Sequence, residues 1–156
     1  MSLIPAWAPN VHPLIIHFPI VLIIAAVILD LVDAAFECPA TLSATATSLY
    51  TVGAAAAVVA YFTGVRAGST VFVPGMANPV LNDHRAWALY TACYVVAVAA
   101  VRLTARLAGF GRPRSHRLIL ASVGLIGVLL LQQTAERGAR LVYEHGVGVI
   151  APSGLR

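Results

Sequence analysis

Five histidines, His12, His17, His84, His116 and His145, are the residues best suited to chemistry in this chain. Neutral imidazole is the commonest nitrogen ligand for haem iron, copper and zinc. His12 and His17 share the run HPLIIHFPI with Pro13 and Pro19. Five residues turn about 140° round an ideal helix, so the two rings converge only if the helix bends. Pro19 removes a backbone donor and frees the carbonyl of Ile15, which makes a bend beside His17 expected. His17 lies more than a turn deeper and reads as the better-buried ligand. His12 reads as a capping, propionate-bonding or second-site residue.

His84 opens a later helix at the same end, and His17 with His84 is the first-choice axial pair for one iron. His145, in YEHGVGV, follows the last helix and would replace or supplement either ligand. The cofactor expected is one or two non-covalent b-type haems, with copper or no cofactor as alternatives. No Cys-x-x-Cys-His run exists, so covalent c-type attachment is excluded. A lone histidine near a membrane surface is usually interfacial; four at one end are harder to dismiss, because polar groups in a bilayer are costly. Two axial imidazoles leave no open position, which suits electron transfer rather than oxygen chemistry.

Arginines stand near the same end. Arg85, Arg137 and Arg140 are candidates to meet haem propionates or the carboxylates of a partner subunit. Glu136 and Arg140 have the i,i+4 spacing of a helical ion pair. A protruding, solvated helix end explains this polar stretch equally well. Trp7, Phe18, Tyr61, Phe62, Phe72, Trp87, Tyr90 and Tyr143 also fall on the histidine side. An aromatic belt normally forms at both interfaces, so this asymmetry points to packing around a cofactor.

Composition dictates what must position these groups. The 156 residues are 60% hydrophobic and 10% charged, with a mean hydropathy of +0.87. Soluble domains carry about 25% charged residues, so a lipid bilayer is the expected solvent. The net charge of +4 comes from arginine alone, with no lysine. No clustered basic face exists to read nucleic acid. Cys38 and Cys93 lie far apart on different elements, and Cys93 reads as a small core residue. The opening MSLIPAWAPN lacks the pattern of a cleaved leader.

A span needs about 20 mostly apolar residues. Four segments qualify: 13–36, 41–65, 83–107 and 116–144. The fold expected is all-α, a four-helix transmembrane bundle forming one integral membrane domain over 1–156. Its N- and C-termini would share a side. Ala56, Ala60 and Gly64 form a small-residue row for close helix contact. The link 66–83, broken by Pro74, Gly75 and Pro79, would lie across the bundle mouth. Asp83 would cap the third helix. The fourth helix, about 43 Å long, exceeds a roughly 30 Å hydrocarbon core and should protrude.

Arg102, Arg106, Arg112, Arg114 and Arg117 flank one short link, the usual cytoplasmic signature. Arg66, Arg85, Arg137, Arg140 and Arg156 stand on the other side but are scattered. The histidine end and both termini would then face outward from a bacterial inner membrane. Asp30 and Asp33 read as a solvated helix end that pairs with the arginine cluster. No nucleophile–base pair, phosphate loop or zinc-enzyme motif is present. An electron-transfer or accessory subunit is therefore expected over a stand-alone enzyme.

The opening HPLIIHFPI and the ending LVYEHGVGV resemble the bacterial membrane family catalogued as domain of unknown function 2231. The family pattern begins His-Pro, three residues, then His-Phe-Pro, and His84 fits its histidine at the third helix. Gly138-Ala139 stands where the family has Gly-Gly. The resemblance implies a four-helix inner-membrane domain. It also implies company with Rieske or cytochrome modules, hence a larger redox complex and a quinone as partners. His12, His17, His84 and His145 carry over by position. A cofactor-free structural or assembly subunit of a respiratory or photosynthetic complex is the second reading, and a histidine-ligated copper or other metal site the third.

Overall fold

The computed structural model describes residues 10–149. Its elements are α1 (His12–Ile15), α2 (His17–Phe36), α3 (Ala40–Thr70), a short 3-10 turn (Gly75–Ala77), α4 (Asn78–Leu107) and α5 (Arg114–Tyr143). Four spans are long and apolar enough to cross a membrane, α1 with α2 forming the first. Consecutive helices are antiparallel neighbours, and α5 closes the ring against α2. Short links enforce this topology. Glu37 ends α2 in the left-handed region at φ 52°, and Pro39 immediately starts α3.

The expected bend is present. Helical geometry is interrupted at Ile16, between α1 and α2. Pro19 has no N–H for the carbonyl of Ile15, so the ladder breaks where that bond is missing. The second link is shorter than expected. Helix α3 continues to Thr70, and α4 starts at Asn78 with Pro79 in its first turn. Asp83 is therefore an exposed residue inside α4 and not its cap.

The bundle interior is narrow. Ile23, Ala26 and Val27 of α2 pack on Tyr50, Ala54 and Ala57 of α3 and on Val95 and Ala99 of α4. Helix α5 presents Ala121, Gly124 and Gly127 to this core. A Cβ on Gly124 would sit 2.8 Å from Val27 Cγ2, so the α2–α5 approach depends on that glycine. In the expected small-residue row, Ala60 is buried while Ala56 and Gly64 are half-buried. The buried stripe of α3 runs instead through Ala46, Gly53, Ala57 and Ala60. Cys93 is exposed on the outer face of α4, contrary to the core position expected. Both cysteines are free.

The acids of α2 are the chief departure from the sequence reading. Asp30 and Asp33 are 3% and 4% exposed, so neither is solvated. They do meet the arginines across the fold. Arg102 of α4 grips Asp30 through two bonds, Nη1 to Oδ2 at 2.6 Å and Nη2 to Oδ1 at 2.9 Å. Arg112 pairs with Asp33, and Arg117 with Glu37 at 2.7 Å. A spacing of three residues puts the buried Asp30 and Asp33 on neighbouring positions of one helical face, with the exposed Glu37 just past the helix end. Burial of such charges is tolerated only with a partner.

Candidate functional site at the histidine end

Local helix geometry decides where each histidine points. His12, in the one-turn α1, lies against α3. Its Nδ1 is 3.2 Å from Thr63 Oγ1. The Thr63 hydroxyl donates to the carbonyl of Ala60 at 3.0 Å. Its oxygen is thus placed to accept from Nδ1–H of His12, which would leave the Nε2 lone pair free. Gly64 makes room for the ring: a Cβ there would come within 2.8 Å of it.

His84 sits in the second turn of α4 and faces α5. Its Nδ1 lies 3.0 Å from the Thr134 carbonyl oxygen. A carbonyl only accepts, so Nδ1 carries the proton and Nε2 again keeps its lone pair. Gly138 provides the space, its notional Cβ falling 3.1 Å from the ring. Thr134 is itself held. Its hydroxyl lies 2.8 Å from that of Thr91, which donates to the Trp87 carbonyl at 2.8 Å. Two imidazoles are therefore oriented through Nδ1 by fixed oxygens, the arrangement that sets the tautomer of metal-bound histidines.

Two of the three expected arginines flank this pair. Arg85 follows His84 directly in α4, and Arg137 precedes Gly138, over which the His84 ring lies. Arg85 fills the groove over Gly68 and buries an Nε with no partner. Arg137 stacks over the Trp87 ring at 4.6 Å and donates to the backbone and side-chain oxygens of Gln133 at 2.8 Å each. Arg140 points away. It is exposed and pairs with Glu144 at 3.0 Å, where the sequence reading paired it with Glu136.

His17 is exposed on the outside of the bundle, so the expectation that it is the more buried ligand is corrected. The 140° between His12 and His17 is the reason: the break at Ile16 does not cancel it, and only His12 turns inward. His145 follows α5 in a turn whose Val147 packs on Ala77, Leu81 and Leu141. Its Nε2 is buried without a hydrogen-bond partner. Among the described residues, no three His, Cys, Asp or Glu side chains are gathered as a metal ion would need.

Most of the aromatic residues at this end lie on the outer surface of the bundle. Phe18, Phe62, Phe72, Tyr90 and Tyr143 are all exposed, as in an interfacial belt. Trp87 and Tyr61 are half-buried, and Trp7 lies outside the described residues. The residues missed by sequence reasoning are Thr63 and Thr134. Their only signal was position, threonines on the helices that face each histidine.

The fold and this end define a multi-pass α-helical membrane protein with a pair of oriented inward histidines. The chain belongs to the family described as Predicted membrane protein (DUF2231), which matches residues 8–151. No curated protein and no solved structure matches it.

Proposed function

We propose that the protein is an electron-transfer subunit of a bacterial inner-membrane redox complex, carrying a non-covalent b-type haem at its histidine end. The observation that carries this reading is the matching hydrogen-bond pattern of His12 and His84. Both rings meet oxygens of neighbouring helices at Nδ1, which would leave both Nε2 lone pairs to an iron. The donor set fits haem better than a bare cation. Arg85 and Arg137 beside His84 oppose a dication but suit a group that brings its own carboxylates. His12 thus replaces His17 as the partner of His84. When bound, the haem would supply one-electron transfer, with His12 and His84 holding it and Arg85 and Arg137 meeting its carboxylates.

The histidine end would face outward, toward a cytochrome or Rieske-type partner, with quinone as the membrane-side donor or acceptor. A cofactor-free assembly subunit is the second reading. It is favoured by the Asp30–Arg102 lock, which holds the bundle without any ligand. The absence of a three-ligand cluster among the described residues weighs against a copper site.

The test is a dithionite-reduced minus oxidised spectrum of the detergent-purified protein, with pyridine extraction of haem. A sharp low-spin α-band that His84→Ala removes supports the reading. A flat spectrum from folded protein purified with its native partners overturns it.

A further inference from the structure

The opposite end of the bundle contains a cavity of about 430 Å³ between the starts of α3 and α5 and the end of α4. Its polar lining includes Ser43, Thr47, Arg102, Arg106, Arg112 and His116, and no acid lines it. Arg102 and Arg112 are already neutralised by Asp30 and Asp33. Arg106 has no ion-pair partner among the described residues. His116 buries an Nδ1 without a hydrogen-bond partner, and so does the Nε of Arg102, a residue only 3% exposed.

Two helix starts add to this positive field. Helices α3 and α5 begin after Pro39 and Pro113, with no side-chain cap and no acid in the first turn. Ala40 and His116, from those first turns, both line the cavity. Uncapped N–H groups and the helix dipole favour an anion there. A second hollow of about 230 Å³ adjoins it, sharing Thr47 and Arg106. It runs over Val52 and Leu103, both exposed on the outer face of the bundle.

We propose that this end binds a phosphate-bearing anion, with Arg106 and His116 as the recognising side chains. An anionic phospholipid suits both hollows at once. Its phosphate would enter the basic cavity and the start of an acyl chain would follow the Val52–Leu103 groove. Arg106, in the last turn of α4, stands at headgroup level, where a basic pocket between spans recognises such lipids.

The experiment uses the full chain in detergent. Native mass spectrometry would measure retention of phosphatidylglycerol against phosphatidylcholine, with inorganic phosphate as competitor. Phosphatidylglycerol should be retained preferentially, and Arg106→Gln should weaken it about fivefold, the effect of one surface arginine. Arg140→Gln, at the other end, should leave it unchanged. A milder His116→Gln variant should also weaken retention. Displacement by millimolar phosphate, with the same Arg106 dependence, would assign the cavity to the free anion and still support the proposal. Equal retention of both lipids, indifferent to Arg106 and His116 and to phosphate, would overturn it.

Discussion

Asp30 and Arg102, seventy-two residues apart, meet inside the bundle through two parallel hydrogen bonds of 2.6 and 2.9 Å. The Arg102 guanidinium also lies 5.3 Å from the centre of the Tyr50 ring and 3.5 Å from Thr47 Oγ1. Helices α2, α3 and α4 are thereby tied at one depth. Within a bilayer the pair fixes both rotation and register of those helices, because any other arrangement strands a charge.

Breaking that pair on one side should cost far more than removing both charges. Arg102→Gln or Asp30→Asn alone should destabilise the bundle by about 3–5 kcal/mol. The double variant should recover much of the loss. Thermal unfolding in detergent of the two single variants and the double variant measures this. A double variant as unstable as the sum of the singles would show that the two residues act independently.

The α2–α5 seam depends on the absence of a side chain at Gly124. Gly124→Val places new atoms against Val27, whose Cγ2 is 2.8 Å from a Cβ there. Overpacking of this kind costs about 1–3 kcal/mol. Gly111, which has open space around it, should accept Ala with no comparable loss. Retained thermal stability in the Gly124 variant would mean that the seam is looser than the structure describes.

The histidines should separate cleanly if haem is bound. His84→Ala and His12→Ala should each abolish the low-spin spectrum, while His17→Ala should keep it. Thr63→Val removes the oxygen that orients His12, and cofactor affinity should fall about 10–100-fold. Loss of the spectrum in His17→Ala, with His12→Ala intact, would reverse the assignment.

Arg140 and Glu144 form an exposed i,i+4 pair, so charge removal there should matter little. Arg140→Ala should change stability by less than about 0.5 kcal/mol. Arg137→Ala should cost more, since it also loses its stack on Trp87 and its bonds to Gln133. Unfolding midpoints of the two variants, compared side by side, decide the order.

Much of this protein was determined locally. Four runs of apolar residues specify four spans, since length and hydropathy alone match the bilayer. Alternation of direction then places His12, His84 and His145 at one end, and Pro19 announces the break near Ile16. Other features needed the packed bundle. Whether His12 or His17 turns inward depends on the phase of α1 and α2 against α3, and spacing gives only the angle between them. Arg140 stands four residues from both Glu136 and Glu144, so helical spacing offers two partners and the surroundings choose. The burial of Asp30 was invisible because its justification, Arg102, lies on another helix. A charge near a helix end reads as solvated until a distant partner makes burial affordable, and only tertiary structure supplies that partner.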